Sequence, residues 1–251
     1  MKYMLGSILL VAATSASAVN VVQPEQGSQL SRNFIEQQVQ MNMSLGTAIK
    51  SIVSNYPQKV EVIVGTALDL YPDKYKEIIH AAISAQPALT EDVVKIAIDK
   101  GITSCGNIVL TAIQAEPSYV DFVVNVAAHS SPDEISEIVR IAVVTEPDSA
   151  DSIVRTVAKA HPSKLVSILS TAIEAVPFVG EYIVDALLAS FPDNAEEVVT
   201  TAVKQSAMQR EQVVKIIETA KSAGIDDKSL SRYAMLGGAS EEEIAEGIEQ
   251  H

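Results

Sequence analysis

From residue 57 the chain repeats one arrangement of apolar and polar positions every 15 residues. Numbered from the proline that opens most units, positions 7 and 8 are an aliphatic pair in eleven consecutive units, from Ile63-Val64 and Ile78-Ile79 through Ile108-Val109 and Ile138-Val139 to Val213-Val214. Position 11 is alanine in eight of them (Ala67, Ala82, Ala97, Ala112, Ala127, Ala142, Ala172 and Ala202), and position 12 is usually leucine, isoleucine or valine. Apolar residues at 4, 7, 8, 11 and 12 follow the i, i+3, i+4, i+7, i+8 spacing of one helix face. The Ile/Val pairs favour strands by intrinsic preference, but nothing alternates, and glycine and asparagine are scarce at the turns. The pattern predicts helices, not a β-solenoid.

Proline marks the phase. Pro57, Pro72, Pro87, Pro117, Pro132, Pro147, Pro162, Pro177 and Pro192 lie 15 residues apart, or 30 where Ile102 interrupts the series. Proline suits a helix start, where its missing N–H is not needed and its φ is already helical. Capping residues often follow it, among them Asp73, Ser118, Asp133, Asp148, Ser163 and Asp193. Asp193 with Glu196 has capping-box spacing, and Ser131-Pro132-Asp133-Glu134 reads as a helix start. Each unit is expected to spend about 12 residues on helix and about 3 on a turn, a rod of roughly 18 Å. A rod that short is marginal alone, so neighbouring rods must share their apolar stripes.

A 30-residue period lies over the first. Position 5 is acidic in the odd units (Glu61, Glu91, Asp121, Asp151, Glu181, Glu211) and varied in the even ones (Lys76, Gly106, Ser136, Val166, Glu196). The expected architecture is an all-α solenoid of antiparallel helix pairs, with one surface built from odd helices and another from even.

Outside the repeat the chain divides further. Residues 1–18 read as a signal peptide, with Lys2, an apolar core over 5–13 and Ala16-Ser17-Ala18 as the cleavage site, so the mature chain is expected to begin at Val19 in a periplasm or outside the cell. Residues 19–44 are a polar lead-in containing the off-phase Pro24, followed by a capping helix from Ser31 to Met43 with Phe34, Ile35, Val39 and Met43 turned inward. The solenoid is placed at 45–221 and C-terminal capping helices at 222–251. Gly101 and then Thr103 or Ser104 carry the register through the unit that lacks proline; Gly224, Asp226, Gly237-Gly238 and Ser240 punctuate the end.

Composition sharpens this. Hydrophobic residues make up 47% of the chain, aromatics only 4%, and tryptophan is absent, which fits a core of small aliphatic side chains. A net charge of -14 argues against nucleic acid and anionic membrane as partners. No segment after the leader reaches the length of apolar chain that spans a bilayer. Cys105, at core position 4, is expected to be a buried thiol rather than a link between chains.

Candidate chemistry is sparse. His80, His129, His161 and His251 have no partner at metal-pair spacing, and no nucleophile elbow, phosphate loop or calcium loop is present. Neither a catalytic site nor a cofactor or metal is expected. Glu241, Glu242 and Glu243 read as a solvated helix start. The binding candidates are large residues where the repeat is usually small or polar: Tyr119 and Phe122 in the fifth unit, and Phe178, Val179 and Tyr182 in the ninth. Both units are odd, so these residues are expected on one side; the alternative is that they fill gaps beside Gly180 and Ala150. Tyr56, Tyr71 and Phe191, each before a proline, are expected to staple the helix starts. The functional expectation is a non-catalytic scaffold for a protein or peptide, monomeric or weakly self-associating, with a structural surface component as the alternative.

Overall fold

The computed structural model describes residues 24–41 and 44–249. The signal peptide expected over 1–18, the inward position expected for Met43, and His251 lie outside the described residues. Among the described residues there is no strand, and the helices in chain order are α1 (Pro24–Gln40), α2 (Leu45–Asn55), α3 (Val60–Leu70), α4 (Tyr75–Ala85), α5 (Thr90–Lys100), α6 (Cys105–Ala115), α7 (Val120–Ser130), α8 (Ile135–Thr145), α9 (Ala150–Ala160), α10 (Leu165–Ala175), α11 (Gly180–Ser190), α12 (Ala195–Ser206), α13 (Arg210–Ser222), α14 (Asp227–Gly237) and α15 (Glu241–Glu249).

The proline does not start the α-helix. It opens one turn of 3₁₀ helix at positions 1–3, as in Pro72–Lys74, and an 11-residue α-helix follows at once. A single residue joins one unit to the next. Steric contact with the proline ring excludes that residue from the α region, and Tyr71, for example, sits at φ -134, ψ 60. It serves both neighbours: the Tyr71 N–H donates to Ala67 O at 2.9 Å, ending α3, and its carbonyl accepts from the Lys74 N–H at 2.9 Å. His161 and Phe191 do the same at their corners.

Backbone closure therefore replaces the side-chain caps expected at the prolines. Ser131 makes no cap bond, and neither do the residues that precede the α-helices of the proline units. The Asp193–Glu196 box does not form; Asn194 Nδ2 donates to Glu197 Oε2 at 3.0 Å, while Glu196 accepts from Arg232 at 2.8 Å. Side-chain caps occur where proline is absent. Ser44, Ser104 and Asp226 accept from the N–H three residues on, and Ser240 and Glu243 form a reciprocal capping box. Gly101 ends α5 at φ 59, the left-handed conformation that frees the chain from the helix.

Every helix packs against the next one and the next but one. Contacts between helices two apart join like ends: Gly46 N–H to Glu77 Oε1 (2.7 Å) and Ser152 Oγ to Asp121 Oδ2 (2.5 Å) near the N-termini, Lys100 Nζ to Asp69 Oδ2 (2.6 Å) at the C-termini. Helices of equal parity are thus parallel and the one between runs back. The result is an α-solenoid with an odd layer and an even layer. Between them lies one seam: no residue at positions 7 or 8 in the eleven units is more than 7% exposed, and the eight position-11 alanines are fully buried.

The ends depart from the sequence reading in detail. α1 starts at Pro24, so part of the expected lead-in is helical. Ile35 is buried and Val39 packs against the core, but Phe34 is exposed. Tyr71 and Phe191 rest on the core as staples; Tyr56 is exposed. At the other end α14 packs on α12 and α15 on α13. A Cβ on Gly237 would stand 2.7 Å from Val203 Cβ and 2.8 Å from Thr200 O, so only glycine permits that approach.

Candidate binding face of the odd layer

Positions 3 and 6 of each unit lie at the start of its helix; position 6 is nowhere buried, whereas position 3 ranges from exposed Lys59 to buried Val179. In α7 and the turn before it these are Tyr119 and Phe122, whose ring centroids are 5.4 Å apart with planes tilted by 35°. Tyr119 is half-buried and Phe122 is 51% exposed. In the α11 unit Phe178 and Tyr182 are 57% and 60% exposed. Val179 is buried and belongs to the core.

The gap-filling alternative fails for Phe178 and Tyr182. The space at Gly180 is already closed by the core, since a Cβ there would meet Ile216 Cδ1 at 3.4 Å and Ile173 Cδ1 at 3.8 Å. Exposed rings at more than half their surface leave apolar area in water that burial would stabilise.

Between the two aromatic clusters lies α9, with Ser149 and Ser152 at positions 3 and 6. A concavity of about 450 Å³ opens between α9 and α11. Pro147, Asp148, Asp151 and Arg155 line one wall; Phe178, Tyr182 and Asp185 line the other, above Ala186 and Ala189. A second concavity, between α2 and α4 in the even layer, is lined by Thr47, Lys50, Glu77 and His80 among others and by no phenylalanine or tyrosine.

Some carboxylates pair with a cation on another helix. Asp69 pairs with Lys100, Glu181 with Lys215, Glu196 with Arg232, and Glu242 and Glu246 with Arg210. Among the described residues Asp148, Asp151 and Asp185 form no such pair. Arg155 donates to Ser152 Oγ at 3.3 Å, and Ser152 in turn donates to Asp121 Oδ2.

Two histidines that sequence spacing separates come together. His129, late in α7, and His161, just after α9, have ring centroids 5.7 Å apart. His129 Nδ1 bonds to Asn125 O at 2.8 Å and His161 Nε2 to Ala128 O at 3.1 Å, so each ring donates to a main-chain carbonyl. Thirty-two residues of chain hide the pair from any local motif; the 30-residue period was the one available signal. His80 is exposed in the even layer. No group of three or more His, Cys, Asp or Glu placed to hold a metal occurs among the described residues. Cys105 is buried, and burial pushes its thiol pKa up despite a hydrogen bond with the Ser131 side chain. No helix among the described residues is long and apolar enough to cross a membrane.

The geometry defines a helical-repeat protein with an aromatic-flanked face on its odd layer. Comparison with protein families, with curated proteins and with solved structures finds no match to this chain.

Proposed function

We propose that the protein is an exported, non-catalytic α-solenoid that holds a protein or peptide segment across the odd-layer face from α7 to α11. The observation that carries this reading is the exposure of Phe122, Phe178 and Tyr182 on odd-layer helices, with Phe178 and Tyr182 bordering the concavity between α9 and α11. Stacked helices over one seam make a rigid platform, and rigid aromatic anchors contribute contact area at little cost in side-chain entropy. The export half rests on Lys2, the apolar run over 5–13 and Ala16-Ser17-Ala18; mass analysis of the product from its native host is expected to give Val19 as the first residue.

Affinity capture from an envelope fraction, repeated with Tyr119→Ser, Phe122→Ser and Tyr182→Ser combined, tests the binding half. Loss of the captured partner in the variant supports the face; an unchanged partner removes it. A self-associating structural role has one observation in its favour, the exposure of Met235 and Leu236 on α14, the last helix of the even layer. Light scattering that finds a monomer at every concentration eliminates that reading.

A further inference from the structure

The proposed face does not treat all segments alike, because its open concavity carries carboxylates without counter-ions beside exposed rings. Asp148 and Asp151 stand in the first turns of their unit, where the positive end of the helix dipole offsets part of their charge. Asp185 has no such compensation, since it lies in the middle of α11, on the same helix face as Tyr182 and Ala189 at i-3 and i+4. Arg155 is the one cation lining the concavity, against three carboxylates. The charge of the whole chain, -14, adds a field of the same sign.

Resting on the scaffold reading above, we infer that the concavity between α9 and α11 takes an arginine or lysine side chain from an extended, cationic segment of a partner protein. The ring of Tyr182 offers a cation–π face and Asp185 a carboxylate one helical turn away, while Ala186 and Ala189 leave room for the aliphatic stem. Arginine fits better than lysine, because its planar group stacks on a ring and donates to a carboxylate at once. Two interaxial steps of about 9 Å separate α7 from α11. An extended segment of about six residues covers that span at ~3.3 Å each, so a residue about four positions along from the cation can reach Tyr119 and Phe122.

The test is fluorescence polarisation of the whole mature chain with a labelled, extended peptide whose arginines are spaced by Gly-Ser, alongside versions with glutamate or norleucine in place of arginine. The arginine peptide is expected to bind at low salt and weaken as salt rises. Asp185→Asn and Tyr182→Ser are each expected to weaken it by about tenfold, the effect of roughly 1.4 kcal/mol, while Asp73→Asn, on a turn of the even layer, leaves it unchanged. Equal loss in Asp73→Asn would reduce the effect to the bulk charge of the chain and overturn the inference. Norleucine binding as tight as arginine, and still sensitive to Tyr182→Ser, overturns the cation preference and leaves the scaffold face standing. Failure of all three peptides overturns both.

Discussion

Lys100 Nζ lies 2.6 Å from Asp69 Oδ2, although 31 residues of chain separate them. The pair ties the last turns of α3 and α5, and the lysine stem crosses over Gly65, where a Cβ would stand 3.4 Å from Lys100 Cε. It marks the parallel register within a layer. Both partners are partly exposed, so solvent screens the attraction. Lys100→Ala is expected to cost less than about 1 kcal/mol in urea unfolding. A larger loss would mean that the register depends on surface pairs.

The seam is where stability resides. Ile138, fully buried on α8 at position 7 of its unit, is expected to cost about 2–5 kcal/mol on change to alanine, through lost transfer and the cavity left behind. Val144, exposed on the same helix, is expected to change stability by no more than ~0.5 kcal/mol when made alanine. Similar losses at the two sites in denaturant titration would contradict a single buried seam.

Ser104 and Asp193 test the two ways of starting a helix. Ser104 Oγ accepts from the Asn107 N–H at 3.4 Å in the unit without proline, whereas no cap bond from Asp193 is found in its proline unit. Ser104→Ala is expected to cost about 1 kcal/mol, and Asp193→Ala less than half of that. Calorimetry that ranks them the other way would return the capping role to the residue after proline.

Low pH should loosen the C-terminal caps first. Hydrogen bonds from the Ser229 side chain and N–H hold the Asp226 carboxyl below its usual range, and the Ser240 N–H and hydroxyl do so for Glu243, helped by Arg210. A depressed carboxylate contributes stability that is fully present above its unfolded value, about 3.9 for Asp and 4.3 for Glu, and is lost as pH falls through the lower folded value. Hydrogen exchange is expected to show α14 and α15 losing protection below about pH 4 before the central helices do. Glu243→Gln should flatten that dependence in α15 and leave α14 unaffected.

Cys105 offers a probe of opening. Buried and with its thiol pKa raised, it is expected to react with a maleimide only as fast as the chain opens locally, and at once in denaturant. Rapid labelling of the folded protein, or a dimer on non-reducing gels, would show the thiol to be accessible.

The position-7 and -8 pairs and the 15-residue proline phase determined, by sequence alone, that the chain is helical and that its rods share one seam, because an apolar stripe at helical spacing has to be covered. The 30-residue acidic alternation likewise separated odd from even surfaces, and Gly101, Ser104, Gly224 and Ser240 announced their corners through backbone and capping chemistry that is local. What tertiary structure decided is everything that depends on the gap between helices two apart. Val179 turned into the core while Phe178 and Tyr182 stayed in water, since isoleucines from α10 and α13 had already closed the space at Gly180. His129 met His161, and Asp185 was left without a cation, because the register between parallel neighbours sets which side chains 31 to 36 residues apart can touch, and no local pattern encodes that distance.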